Sequence, residues 1–164
     1  MTPQRVAPGP GQESVWDYPR PPRAEATSKH LQVVFNRVII ADTRRAVRVL
    51  ETSHPPVYYI PPADIQMQYL ALTTGRSLCE WKGQAWYYTV TVGDARELNA
   101  AWTYPEPVAA FASIRDYVAF YAQRMDACFV GGERVTPQPG QFYGGWITRD
   151  IVGPFKGEPD TRGW

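Results

Sequence analysis

Short β-prone runs separated by turn residues dominate this sequence and leave no stretch for a long helix. Residues 31–35 and 38–41 flank Asn36 and Arg37, which predicts a hairpin with a tight turn. The same pattern predicts further strands at 46–51, 57–60, 77–80, 84–92, 100–104, 118–121 and 127–130, the last two as a hairpin, with helical turns after Pro62 and near Ser113. We therefore predict a mainly β fold, a single compact antiparallel β domain with short helical turns.

Both ends of the sequence differ from this β-rich middle. Residues 2–23 contain six prolines and two glycines, and proline there excludes a helix or a central strand because it fixes φ and removes a backbone donor. Trp16 and Tyr18 should anchor this arm to the body, since exposure would waste their apolar surface. Aromatic residues among the prolines and glycines after Val135 predict a tail that packs on the core or on a neighbouring subunit. The predicted organisation is an arm (1–28), a β-rich core (29–135) and a tail (136–164).

Charge and cysteine content restrict the partners and the compartment. With 17 basic and 16 acidic side chains the formal net charge is +1, so no strong field attracts a polyanion and we expect no nucleic-acid partner. No run of 18 apolar residues occurs, and the first twenty residues lack a basic and then an apolar block, so we expect neither membrane insertion nor secretion. Cys79 and Cys128 are far apart in sequence, which is typical of reduced thiols in a cytoplasmic protein.

Polar residues that could form a site stand at the ends of predicted strands. Glu51 to His54 place four hydrogen-bonding side chains in a row before two prolines. His54, with its near-neutral pKa, either caps this turn or contacts a ligand and transfers protons. Trp81, Lys82 and Gly83 combine a flat apolar face, a cation and a flexible backbone, which suits a small anion or a planar ring, or else a plain hairpin turn.

The remaining candidates have equally plain structural alternatives. Arg48, in the middle of a strand, needs either an acidic partner or a bound anion. Cys79 is either a small buried residue or a thiol beside the site, with Glu80 opposing thiolate formation. Four aromatic residues either gather as an aromatic box or pack in the core: Tyr58, Tyr88, Trp102 and Tyr104.

Six blocks of this sequence resemble the signature blocks of the domain-of-unknown-function 427 family: residues 13–21, 41–43, 48–59, 79–83, 101–105 and 140–148. The resemblance extends over residues 13–164 and implies a compact β fold similar to the β-tent fold, with no established reaction. Members are sometimes labelled nucleotidyltransferase-like. This sequence has no Gly-Ser dipeptide and no Asp-x-Asp or Asp-x-Glu pair, the motifs with which such enzymes hold phosphates and metal. Glu80 stands where the family mostly has proline.

The resemblance also bears on metals. Other proteins with the β-tent fold hold zinc between two Cys-x-x-Cys knuckles, and those four cysteines are missing here. Glu51, His54 and Cys79 alone would have to converge to supply ligands. We expect no metal and no cofactor.

Three hypotheses for function follow from these residues. The first is a domain that binds a small polar or anionic molecule in one aromatic-lined pocket furnished with Arg48, Glu51, His54 and Lys82. The second is an enzyme that uses Glu51 and His54 for acid-base chemistry in the same pocket. The third is a structural or interaction protein that forms a homodimer through the arm and the tail.

Overall fold

The computed structural model describes residues 4–164, and strands make up most of its regular structure. The predicted mainly β fold is confirmed. Met1, Thr2 and Pro3, where the predicted arm starts, lie outside the described residues. The strands are β1 (Glu13–Ser14), β2 (Arg23–Ala26), β3 (Leu31–Phe35), β4 (Val38–Thr43), β5 (Val47–Leu50), β6 (Val57–Tyr59), β7 (Leu70–Cys79), β8 (Gly83–Val92), β9 (Ala95–Thr103), β10 (Val118–Phe120), β11 (Ala127–Val130), β12 (Glu133–Arg134), β13 (Thr136–Pro137), β14 (Trp146–Ile147) and β15 (Ile151–Val152). The 3₁₀ helices span Val15–Asp17, Pro62–Asp64, Met67–Tyr69, Ala109–Ile114 and Ala122–Arg124. The first of them lies in the Pro-rich segment where we expected no helix, because residues 15–17 contain no proline and Ser14 caps the turn.

Three antiparallel sheets form the body. Their strand orders are β10-β9-β8-β7, β12-β11-β3-β4 and β2-β5-β6. The first and third sheets are joined, because Ile60 and Val118 exchange backbone hydrogen bonds of 2.8 and 2.9 Å between β6 and β10. This junction places the end of β6 against β10.

The predicted first hairpin is confirmed, and its turn has a clear physical basis. Phe35 pairs with Val38, and the two residues between them, Asn36 and Arg37, have φ values of 46° and 65°. Positive φ at both central positions defines a type I′ turn, whose twist matches that of the flanking strands. Asn36 Nδ2 also donates to the Val92 carbonyl oxygen at 2.8 Å, which ties this turn to β8.

Three strand predictions were wrong. β9 begins at Ala95 and not at residue 100, because its pairing with β8 shifts register between Glu97 and Ala101. β7 begins at Leu70 and not at residue 77, because a register shift between Leu72 and Arg76 interrupts the apolar alternation that a sequence pattern can detect. β10 and β11 do not form a hairpin. β10 pairs with β9, whereas β11 pairs with β3 and β12, since the 3₁₀ turn Ala122–Arg124 carries the chain from one sheet to the other.

Three apolar clusters hold these sheets together. The largest contains Leu31, Ile40, Phe120 and Trp146, and a second packs Tyr59, Trp102 and Phe111 with their neighbours. The third contains Val15, Tyr18, Leu50 and Ile151 and joins the N-terminal segment to β5 and β15. In the same region β1 pairs with β15, and Trp16 Nε1 donates to the Pro154 carbonyl oxygen at 3.0 Å.

Within residues 4–164, no helix combines the length and the apolar character needed to cross a membrane.

Candidate functional site

A cavity of about 310 Å³ is bounded by the loop after β5, by β6 to β9 and by the C-terminal tail. Its lining residues are Glu51, His54, Val57, Tyr59, Ser77, Leu78, Cys79, Trp81, Lys82, Tyr87, Trp102, Tyr104, Tyr121, Gln138, Phe142, Tyr143 and Gly144. Eight of them are aromatic, and two carry opposite formal charges. We call this the aromatic cavity.

The structure brings together seven of the residues singled out from the sequence: Glu51, His54, Cys79, Trp81, Lys82, Trp102 and Tyr104. Arg48, Tyr58 and Tyr88 lie elsewhere. Tyr58 packs on Trp146 at 5.4 Å between ring centroids, and Tyr88 packs against the same core cluster. Their sequence neighbours Tyr59 and Tyr87 line the cavity instead, because successive side chains of a strand point to opposite faces.

Aromatic rings fix one another along the cavity wall. Trp102 Nε1 donates to Tyr59 Oη at 3.3 Å, and the two rings meet edge to face with centroids 6.3 Å apart. Tyr121 lies 4.6 Å from Trp102, and Tyr104 lies 6.2 Å from Tyr59. Burial raises the pKa values of Tyr59 and Tyr104, and it raises that of Tyr121 to about 12. These phenols therefore stay neutral and can donate hydrogen bonds.

The tail closes one side of the cavity through a glycine pair. A Cβ on Gly144 would overlap the indole ring of Trp102. One on Gly145 would lie 2.6 Å from Gln138 Oε1 and 2.6 Å from the Pro55 ring. Gln138, which is buried, accepts from the Gly145 amide at 3.0 Å and donates to the Lys156 carbonyl oxygen at 2.8 Å. Only glycine allows the tail backbone to approach this closely.

His54 occupies the polar end of the cavity. Its Nδ1 lies 2.9 Å from the Thr52 carbonyl oxygen, which can only accept, so Nδ1 carries the proton and Nε2 is left as the acceptor. Glu51 Oε2 is 4.0 Å from the same Nδ1, and Tyr143 packs edge to face at 5.3 Å. Burial lowers the pKa of His54, and the opposing effects of Glu51 and the Thr52 carbonyl are smaller. His54 is therefore a neutral imidazole at neutral pH.

Lys82 occupies the turn between β7 and β8. Its Nζ lies 5.9 Å from the ring centroids of both Tyr104 and Phe111, a cation-π arrangement. The turn is held by Gly83 at a φ of 117° and by a 2.9 Å hydrogen bond from the Val108 amide to the Lys82 carbonyl oxygen. Among residues 4–164, no carboxylate oxygen lies within 4.0 Å of this ammonium group.

Arg48 is matched by two carboxylates outside the aromatic cavity. Its guanidinium donates to both oxygens of Glu13 at 2.7 and 2.9 Å and to Glu25 Oε1 at 2.8 and 3.1 Å. The bond from Arg48 lowers the pKa of Glu13. Of the two alternatives that the sequence left open for Arg48, the structure therefore supplies acidic partners.

Neither cysteine belongs to a metal-binding arrangement in the part of the chain that the structure describes. No group of three or more His, Cys, Asp or Glu side chains there could hold a metal ion. Cys79 is half-buried in the cavity wall, whereas Cys128 is buried in the core, where burial raises the pKa of its thiol.

Several cavity residues were not singled out from the sequence, among them Tyr59, Ser77, Tyr87, Tyr121, Gln138 and Tyr143. Ser77 of β7 and Tyr87 of β8 contact each other, with Oγ and Oη 2.7 Å apart. The sequence pattern misses the first seven residues of β7 and does not predict the pairing of β7 with β8. Tyr143 belongs to the family-like block 140–148, but the sequence alone indicates only that the aromatic residues of the tail pack on the core or on a neighbouring subunit.

Comparison with protein-family models gives one family. A model described as a domain of unknown function (DUF427) matches residues 23–131. The chain belongs to the DUF427 family. The matched range includes the DUF427 segments that carry Glu51, His54, Lys82 and Trp102, whereas the tail wall of the cavity lies beyond it. No curated protein matched the chain.

Proposed function

We propose that this DUF427 protein binds a small polar or anionic molecule in the aromatic cavity. The supporting observation is that one hollow contains eight aromatic rings together with Glu51, His54 and Lys82. Apolar walls with a few convergent polar groups are typical of ligand pockets, and a volume of about 310 Å³ suits a small metabolite. Rings already fixed by contacts with one another lose little freedom when a ligand binds.

A thermal-shift screen over metabolites and nucleotides tests this proposal. A true ligand should raise the melting temperature of the wild-type protein and lose most of its effect in Lys82→Ala and in His54→Ala, because each variant removes a polar contact from the wall. Arg44→Ala is the control, since Arg44 is an exposed cation in the turn after β4. Hits that persist undiminished in both cavity variants would place the ligand elsewhere, and a broad library without hits would count against binding.

The second candidate function is acid-base catalysis by Glu51 and His54 in the same cavity. It is favoured by the 4.0 Å separation of Glu51 Oε2 and His54 Nδ1, and by the Nδ1 contact with Thr52 that leaves Nε2 as an acceptor. If Glu51 acts only as a catalytic group, turnover of a ligand found in the screen should collapse in Glu51→Gln while its affinity survives, unlike the case in which Glu51 holds a charged group of the ligand. Equal turnover by wild type and variant would remove this candidate.

We further propose the cytoplasm as the location, which the two unpaired thiols support. Division into an arm (1–28), a core (29–135) and a tail (136–164) also stays a proposal. The same holds for a homodimer formed through the arm and the tail. Sedimentation velocity of the full chain across a hundredfold concentration range tests the dimer, and an unchanged monomeric coefficient would contradict it.

A further inference from the structure

Two side chains of opposite charge line the aromatic cavity without a strong counter-charge of their own. In residues 4–164, no Lys or Arg nitrogen lies within 4.0 Å of the Glu51 carboxylate, and the neutral imidazole of His54 is 4.0 Å away. Lys82 likewise has no carboxylate within that distance. Arg48 shows the contrast, because it holds two carboxylates at 2.7 to 2.9 Å. A partly desolvated charge that lacks a partner is unfavourable, and a ligand can supply that partner.

A series of contacts connects these two charged side chains along the cavity wall. Lys82 Nζ lies over the Tyr104 ring. The ring centroids of Tyr104 and Tyr59 are 6.2 Å apart, and those of Tyr59 and Trp102 are 6.3 Å apart. On the other side of Trp102 the tail backbone at Gly144 presses on the indole ring.

The series of contacts continues from the tail to Glu51. Tyr143, next to Gly144, packs on His54 at 5.3 Å, and His54 lies beside Glu51. Aromatic side chains therefore lie between Lys82 and Glu51 along this series of contacts.

We propose that the ligand is a small aromatic zwitterion, with its carboxylate toward Lys82, its ammonium toward Glu51 and its ring against the partly exposed rings of the wall, Trp81, Tyr87 and Tyr121. This inference rests on the proposed binding function and adds the chemical class of the ligand. A ligand ring that lies on these side chains gains stacking and edge contacts. The ammonium gains the Glu51 carboxylate together with nearby aromatic faces. One lysine suits a singly charged carboxylate, whereas a phosphate would demand more donors.

Four indole probes with matched rings test the charge pattern: tryptophan, indole-3-propionate, tryptamine and 3-methylindole. Their dissociation constants can be measured by ligand-observed NMR on the full chain. A charge-assisted contact in a partly exposed site is worth about tenfold in affinity. Tryptophan should therefore bind about tenfold tighter than either singly charged probe, and 3-methylindole should bind weakest.

Variants assign each charge to its partner. Lys82→Met should reduce the affinity for tryptophan and indole-3-propionate and leave that for tryptamine unchanged, whereas Lys82→Arg should restore part of the loss. Glu51→Gln should show the opposite pattern: it should reduce the affinity for tryptophan and tryptamine and leave that for indole-3-propionate unchanged. Arg44→Met and Asp94→Asn are matched controls, because both residues are exposed in turns away from the cavity.

The outcomes separate this inference from the proposed function. Equal affinities for 3-methylindole and tryptophan would overturn the zwitterion proposal and leave the binding function intact. Equal losses of affinity for indole-3-propionate and tryptamine in either variant would do the same. Failure of all four probes to bind would also overturn it. If the metabolite screen gave no hit either, the proposed function would fall as well.

Discussion

His54 shows how one residue combines a structural contact with a cavity position. Its Nδ1–H donates to the Thr52 carbonyl oxygen at 2.9 Å, which fixes the orientation of the ring, and Tyr143 packs against the imidazole. Burial lowers its pKa against the opposing effect of Glu51, and the more distant Lys156 and Arg20 act in the same direction as burial. The folded protein therefore disfavours the imidazolium.

This lowered pKa predicts a loss of stability in mild acid. Below pH 6.5, the ordinary pKa of histidine, His54 is protonated in the unfolded chain but stays neutral in the folded chain until the pH reaches its lower pKa there. The free energy of unfolding should therefore fall as the pH decreases from about 6.5 toward the pKa of folded His54. Urea denaturation at several pH values between 5 and 8 measures this slope.

His54→Gln serves as the control for that slope, since it keeps a polar side chain and cannot titrate. The variant should have a flatter pH dependence than the wild type in this range. His30 is present in both proteins and cancels. Glu13, Asp64 and Asp150, whose pKa values lie below their ordinary ones, lose their contributions only at lower pH. Identical slopes for the two proteins would show that His54 titrates normally in the fold.

At the residue scale, much of the cavity could be predicted from the sequence. Glu51, His54, Trp81 and Lys82 stand at the ends of strands, where position follows directly from the turn pattern. Tyr58 and Tyr88 could not be assigned to the correct face. Each belongs to a tyrosine pair, 58–59 and 87–88, so either member could face the cavity, and the parity is set by pairing and bulges that the sequence does not display.

Gly144 gives the sharpest test at the scale of an element. The segment 136–147 packs over the cavity because its backbone contacts Trp102 directly, and a Cβ on Gly144 would overlap that ring. Gly144→Ala should therefore lower the free energy of unfolding by about 1–3 kcal/mol, the usual cost of overpacking. The same substitution should also reduce the affinity of any ligand that binds in the aromatic cavity. Urea denaturation followed by tryptophan fluorescence measures the first effect.

Gly163→Ala is the matched control for this substitution, because no heavy atom lies within 4 Å of the position its Cβ would take. It should leave stability unchanged. If Gly144→Ala were as stable as Gly163→Ala, the tail would not be packed on Trp102 in solution.

Elements defined by local signals were predicted well, whereas pairing across distance was not. The 3₁₀ turns Pro62–Asp64 and Ala109–Ile114 and the strand β10 lie where proline and apolar spacing predicted them. Association of β10 with β9 depends on residues far apart in the chain. The three short strands of the tail, β13, β14 and β15, have too few residues to show any alternation.

At the scale of the whole molecule, Arg48 joins three separate parts of the chain. It lies on β5, pairs across the sheet with Glu25 of β2, and holds Glu13 of β1 through two parallel hydrogen bonds. Tyr18 donates to the same Glu13 carboxylate at 2.9 Å. The cluster therefore connects the N-terminal segment to the sheet that positions Glu51 and His54.

Removing this guanidinium should destabilise the protein more than removing an exposed one. The Arg48 side chain is only 11% exposed, and Arg48→Met would leave two carboxylates facing each other, at a cost of about 1–3 kcal/mol because both are partly solvated. Arg45→Met breaks the pair with Asp64, in which Arg45 is 64% exposed, and should have a smaller effect. Arg48→Lys keeps the charge without the planar fork and should fall between wild type and Arg48→Met.

The pH dependence of this difference identifies its cause. Because Arg48 lowers the pKa of Glu13, the pair stabilises the fold above pH 4.5, the ordinary value, and this contribution is lost as the pH falls through the lower pKa of the folded state. The gap in the free energy of unfolding between wild type and Arg48→Met, measured by urea denaturation, should therefore be full at pH 7 and shrink in acid. A gap that stayed constant down to pH 3 would mean that Arg48 stabilises the fold through packing of its aliphatic stem rather than through charge.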